Sequence, residues 1–272
     1  QGASRGSKGS RGRSRVPPRE TCRVSFSGKV DTMLLRATSL LAAIALLGVM
    51  APAAQADLSF YTQDFEAMDP VDPGALAADG WWVFGNVFDP GGGYLYGYGP
   101  FPAPNGGPPY AFCTVGVGEG GPAQGAQQLV VFSDYNNGDH GVGNIIESNV
   151  FQEQIVGAGD VGGSYSFAFD AKRGDIVGSS TALAFIKTLD PNNFGLSNFV
   201  TLDMTSIPTT WGSYELKISI DPGIVGHILQ FGFLNTATNF EPSGIVYDNV
   251  SFAAQPVSVE ETSFGQVKAL YR

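Results

Sequence analysis

The chain has 272 residues, with 15 basic and 25 acidic side chains and a net charge of −10. It holds two cysteines, Cys22 and Cys113, too few for a scaffold stapled by disulfides. The charge is unevenly spread: residues 1–56 carry nine of the basic and two of the acidic side chains, leaving six against 23, a net −17, for residues 57–272. So acidic a segment is unsuited to nucleic acid or to an anionic membrane, and suited to solubility and to cations.

Residues 1–32 are basic, rich in Gly and Ser and without periodicity; they read as an upstream extension translated from a mis-assigned start. From Met33 a short basic opening precedes an apolar run, Leu40 to Met50, and then Ala54-Gln55-Ala56. That order is a secretory signal peptide over 33–56, cleaved after Ala56. The apolar run is too short for a membrane span, so the expected location is secreted or cell-surface. Of the two cysteines only Cys113 then remains, and it reads as a small core residue.

Residues 57–254 contain short alternating or β-branched and aromatic runs separated by Gly, Pro, Asn and Asp, the pattern of an all-β domain. A first strand is expected over 58–66 and a second from Trp81. Adjacent tryptophans in a strand face opposite ways, so of Trp81 and Trp82 one belongs in the core. A Gly-, Pro- and Tyr-rich loop follows over 89–110, with Tyr94, Tyr96, Tyr98, Phe101 and Tyr110. The turn at 133–141 contains Asp134, Tyr135 and Asp139 but lacks the spacing and the closing Glu of an EF-hand, so it reads as a hairpin turn.

Tyr165, Phe167, Phe169 and Ala171 alternate onto one face, as do Tyr214, Leu216, Ile218 and Ile220. Trp211 opens the second of these strands and is expected in the core. The last strand ends near Phe252, where a two-residue period would put Val246, Asp248, Val250 and Phe252 on one buried face. Asp248 there needs a partner, because a buried carboxylate is costly alone. About ten strands at this spacing predict an antiparallel jelly-roll β-sandwich, with a polar tail over 255–272.

The order Asp64-Phe65-Glu66, Trp81, Gly163 to Ala171, Thr210 to Tyr214 and Val246 to Phe252 resembles carbohydrate-binding-module-like domains with the galactose-binding jelly-roll fold. The resemblance implies a glycan or polysaccharide as partner. It also implies a structural Ca2+ held by Glu66 and Asp248. The sequence departs from that family in its long tyrosine loop. Sugar rings stack their C–H faces on aromatics, so Trp82, Tyr94, Tyr96, Tyr98, Tyr110 and Tyr135 are the candidate ligand-binding residues; the same aromatics could instead pin the loop to the sandwich.

Gly116-Val-Gly118-Glu-Gly-Gly121 matches a dinucleotide fingerprint, but Pro122 follows where a helix should start. No Gly-x-Ser-x-Gly, His-Glu-x-x-His or Cys-x-x-Cys occurs in residues 57–272, so the expected function is non-catalytic binding. The alternatives are a self-associating structural or adhesive surface protein, and a jelly-roll polysaccharide lyase or hydrolase.

Overall fold

A computed structural model describes residues 57–104 and 111–256. The expected upstream extension and signal peptide, Tyr110 and nearly all of the polar tail lie outside them. The described residues form twelve strands in two six-stranded antiparallel sheets. These are β1 (Tyr61–Gln63), β2 (Trp81–Phe88), β3 (Tyr94–Tyr98), β4 (Cys113–Val117), β5 (Gln127–Val131) and β6 (Ile145–Ile155). They continue as β7 (Ser164–Arg173), β8 (Thr181–Leu189), β9 (Leu196–Asp203), β10 (Gly212–Ser219), β11 (Ile228–Ala237) and β12 (Ile245–Ala254).

Sheet A runs β10-β7-β12-β5-β4, with β1 also paired to β12; sheet B runs β3-β2-β6-β11-β8-β9. From β5 onward each connection except the β8–β9 hairpin carries the chain to the other sheet. This is the sandwich that the alternating pattern predicts. The turn at 133–141 is one of these crossings, from β5 in sheet A to β6 in sheet B, and does not close a hairpin. Part of the predicted 89–110 loop is regular: Tyr94–Tyr98 forms the edge strand of sheet B, paired with β2 from Gly85 to Phe88.

The core is a stack of aromatic rings between the sheets. Phe231 stacks on Phe252 at 4.4 Å and Phe233 on Tyr247 at 3.6 Å, while Phe167 touches both phenylalanines of β11. Phe167, Phe231, Phe233, Tyr247 and Phe252 are completely buried. Trp81 is in this core and Trp82 is outside it. Cys113 is also fully buried there. Trp211, expected inside, is only half-buried. It lies over sheet A, donating through Nε1 to the Glu119 carbonyl with the Lys172 ammonium 5.4 Å from its ring.

The final strand departs from strict alternation. Ile245 and Tyr247 face the core, and so do Val250 and Phe252. Two residues separate the members within each pair but three separate Tyr247 from Val250. The pairing with β7 shifts between Asp248 and Ser251, and Asn249 adopts a left-handed φ of +49°. This β-bulge inserts one residue and reverses the facing of everything before it. Val246 and Asp248 therefore lie on the outer side of sheet A, opposite to the face that an unbroken period gives them.

Tyr247 brings its hydroxyl into the core with no partner. A buried hydroxyl without a hydrogen bond costs about 1–3 kcal/mol. Tyr247→Phe should consequently leave stability unchanged or raise it by up to about 1 kcal/mol in urea unfolding, whereas Phe233→Ala, which empties the stack, should lower it by roughly 3–5 kcal/mol. A Tyr247→Phe loss comparable to that of Phe233→Ala would show that the hydroxyl is bonded after all.

Candidate functional site

Two regions concentrate side chains that the fold alone does not require. The first is a groove of about 600 Å³ on the outer side of sheet B. In β2 the core takes Trp81 and Val83, so Trp82 and Phe84 point outward. Phe151 of β6 lies opposite Trp82, Gly232 of β11 opposite Phe151, and Phe185 of β8 opposite Gly232. The outcome is a row across four adjacent strands with an aromatic ring on three of them and Gly232 on the fourth. Phe151, Phe185 and Leu234 form a second buried cluster, with Phe84 and Leu183 packed on it. Gly232 belongs in this row for a steric reason: a Cβ there would come within 2.2 Å of the Val150 carbonyl oxygen.

Polar groups flank this row. Asn149 is 2 % exposed. It donates through Nδ2 to Glu147 Oε1 at 2.7 Å, which fixes the amide orientation, and its Oδ1 accepts nothing. On the other side of the row Gln230 Nε2 donates to Glu153 Oε2 at 2.7 Å, and Lys187 continues the line on β8. Burial pushes the Lys187 ammonium below its ordinary pKa, and the charges of Glu147 and Glu153 pull it partly back. Phe194, 68 % exposed with a left-handed φ of +56°, stands on the β8–β9 hairpin as part of the groove wall.

The structure divides the aromatic residues expected at a ligand site. Trp82, Tyr94 and Tyr98 line the groove. Trp82 is 41 % and Tyr94 62 % exposed. Tyr98 also packs on Phe112 and donates to Asp134 Oδ2 at 2.7 Å. Tyr96 is tied to Asp139. Asn137 Nδ2 donates to both tyrosine hydroxyls, so the 133–141 crossing pins the edge strand that forms the groove rim. Tyr135 is elsewhere, stacked on Phe132 and hydrogen-bonded to Ser243.

Sequence reasoning missed Phe84, Asn149, Phe151, Lys187, Phe194 and Gln230. A signal for the first three was present: outward positions on central strands carry rings and an amide where a solvated face would carry charges.

The second region surrounds Asp248, where the first and last strands meet. Tyr61 pairs with Phe252 and Gln63 with Val250. Phe65 then takes a left-handed φ of +60°, and the Glu66 carboxylate docks on the 125–127 turn. Its Oε1 accepts from the Ala126 and Gln127 amides, both at 2.7 Å. Only glycine fits at 125, where φ is +53° and a Cβ would meet that carboxylate at 2.3 Å.

Asp248 is 1 % exposed. Its Oδ1 accepts from the Asn249 amide at 2.6 Å, while Oδ2 has no partner, and the Oε1 atoms of neighbouring Gln124 and Gln128 have none either. Burial raises the Asp248 pKa to about 7, and the charges of Glu66 and Asp64 add to this, against the Asn249 amide and the Gln128 side chain. Asp170, directly across on β7, behaves oppositely. Burial raises its pKa too, but hydrogen bonds from Ser213, Asn249 and Gln124 outweigh burial and hold it below the ordinary value. Among the described residues no group of three or more His, Cys, Asp or Glu side chains is placed to hold a metal.

No family model and no curated protein matches the chain. Solved structures with partial likeness include the tailspike protein 4 enzymatic domain of bacteriophage CBA120, at 17 % identity and a TM-score of 0.40, over 65 % of this chain and 19 % of that one. The carbohydrate-binding and catalytic modules of Clostridium thermocellum xylanase 10B, complexed with xylohexaose, match at 14 % identity and 0.37, over 72 % and 29 %. A cyclase from Fischerella sp. TAU matches at 14 % and 0.41, over 74 % and 100 %. The chain thus spans less than a third of the tailspike and xylanase chains, and further carbohydrate-binding modules are among the matches.

The elevated Asp248 pKa fixes a direction of pH dependence. Between an unfolded value near 4 and the folded value of about 7 the native state holds a proton that the unfolded chain has released, so stability falls as pH rises through that window, by up to about 1.4 kcal/mol per unit. In metal-free buffer, denaturant titrations from pH 5 to pH 8 should therefore show wild type losing stability relative to Asp248→Asn. A constant difference between the two proteins across that range would refute the shift.

Proposed function

We propose that this chain is a secreted, non-catalytic glycan-binding domain that seats a polysaccharide segment in the groove on the outer side of sheet B. The observation that carries the reading is the pair of exposed rings, Trp82 and Tyr94, lining a groove underlain by the buried Phe151–Phe185 cluster, with a buried, unpartnered acceptor, Asn149 Oδ1, beside them. A flat ring stacks on the C–H face of a sugar, and the hydroxyls at the sugar's edge require partners of the kind Asn149, Gln230 and Glu153 provide. Four adjacent strands hold the row, so the rings are largely ordered before the ligand arrives and binding forfeits little side-chain entropy.

Trp82 and Tyr94 supply exposed stacking surface at one wall and Phe194 at the other. Retardation of the protein in gels containing soluble polysaccharides tests the reading. At least one polysaccharide should retard wild type, and Trp82→Ala should weaken that interaction by about tenfold or more, as loss of a central aromatic anchor does. Migration unaffected by every polysaccharide, with calcium present, removes the proposal.

We further propose that the region around Asp248 takes a structural Ca2+. The donor set fits a hard cation: Asp248 Oδ2 and the Gln124 and Gln128 amide oxygens are buried acceptors without donors, and the Glu66 and Asp64 charges act on the same carboxylate. Calcium prefers such oxygen ligands. Asp248, Gln128 and Gln124 would hold the ion, with Glu66 from the opening segment; when bound it would neutralise a carboxylate that is otherwise buried at a cost. At saturating calcium the midpoint of thermal unfolding should rise by about 5–10 °C over chelator-treated protein, and Asp248→Asn should lose that response. Identical melting in calcium and in chelator excludes the ion.

A further inference from the structure

One charged group on the groove floor lacks the partner that its chemistry calls for. The Lys187 ammonium lies 4.8 Å from the centre of the Phe185 ring and 5.5 Å from that of Phe151. The two other lysines among the described residues each hold a carboxylate, Lys172 with Glu119 at 2.7 Å and Lys217 with Glu215 at 3.0 Å. Among the described residues Lys187 has none within ion-pair distance, in a domain where acids far outnumber bases.

The acids that face it are otherwise engaged. Glu153 shares its row, but Gln230 stands between them on β11 and donates to Glu153. Glu147 accepts from Asn86 at 2.9 Å and from Asn149 at 2.7 Å. Ring faces attract the ammonium but leave its three N–H donors without acceptors.

At the other side of the aromatic row the imbalance is reversed, because Asn149 Oδ1 is a buried acceptor without a donor. From the register, Asn149 and Lys187 are two strands and four residues apart, roughly 16 Å. The groove floor is thus polar at both ends with opposite needs, and apolar between them.

We propose that Lys187 is the specificity-determining residue of the groove, and that it anchors a carboxylate carried by a single sugar unit in an otherwise uncharged glycan. This rests on the reading of the groove as a glycan site. A carboxylate supplies the acceptor that a half-buried ammonium lacks, through a charge-assisted hydrogen bond. One carboxylate fits where a row of them does not, since Glu147, Glu153 and the net acidity of the domain repel a polyanion. Asn149 at the far side takes a hydroxyl donor, and the pair fixes the direction in which the chain lies.

The test is calorimetric titration of the intact protein with three probes: a neutral linear oligosaccharide, the same oligosaccharide bearing one uronic acid, and a uniformly charged oligouronate. Wild type should bind the singly acidic probe about tenfold or more tighter than the neutral one, which is the scale of one charge-assisted hydrogen bond. The oligouronate should bind no better than the neutral probe. Lys187→Met, which keeps apolar cover over Phe151 and Phe185, should abolish the preference by lowering affinity for the singly acidic probe more than for the neutral one, and Lys187→Arg should restore it. Thermal melts of both variants establish that they fold. Equal affinities of wild type for the neutral and singly acidic probes, or a Lys187→Met loss shared equally by both, overturns the proposal and leaves the glycan reading standing. Tighter binding of the oligouronate overturns its single-charge form. Failure of wild type to bind any probe sinks both.

Discussion

Strand β12 has to satisfy two sheets' worth of constraints in ten residues. Its inner side chains complete the aromatic stack, Tyr247 against Phe233 and Phe252 against Phe231. Its backbone pairs with β7, β5 and β1. Since side chains in a strand alternate strictly, a chain that places Tyr247 and Phe252 five residues apart on one face must insert a residue between them. The bulge at Asn249 is that insertion. Everything on the outer side of sheet A follows from it, because it turns Asp248 away from the stack and toward Gln124, Gln128 and the incoming Glu66 segment.

The burial of Asp248 is thus a consequence of core packing, and its environment makes that burial costly. Burial and the charges of Glu66 and Asp64 disfavour the carboxylate's ionised form, with the Asn249 amide and the Gln128 side chain in opposition. Across the strand pair, Asp170 shows what a satisfied carboxylate looks like in the same neighbourhood: three hydrogen bonds hold it ionised. The contrast between the two acids, directly opposite in register, separates a structural carboxylate from one whose remaining oxygen awaits a proton or a cation.

How much of this the sequence reveals depends on whether a feature is periodic. The strands β7 and β10 were legible because Tyr165 to Ala171 and Tyr214 to Ile220 keep a strict two-residue period. The need of Asp248 for a partner was legible, whereas its face was not, because an unbroken period puts it on the inner side. A bulge leaves no mark in a residue pattern except Asn at a position requiring positive φ, a weak signal among this chain's many asparagines. Trp211 was misplaced for a related reason: alternation assigns it a side, and only the Glu119–Gly121 segment, far away in sequence, decides that it lies over the outside of sheet A. The groove was hidden differently. A strand such as Ala184-Phe185-Ile186 is apolar on both faces, which reads as a buried strand. Recognising that Phe185 lies beneath the groove side of sheet B requires the neighbours Trp82, Phe151 and Gly232, which come from three other strands.

The two regions lie on opposite outer faces of the sandwich, and this separation constrains how they can influence each other. No side chain is common to both. The link between them is the core itself: Tyr247 and Phe252 of β12 stack on Phe233 and Phe231 of β11, and β11 carries Gln230 and Gly232 on its other side. A perturbation at Asp248 therefore reaches the aromatic row only by shifting that stack, and close-packed rings resist small displacements. An ion at Asp248 would therefore act on the stability of the whole sandwich before it reached the side of sheet B that carries Asn149 and Lys187.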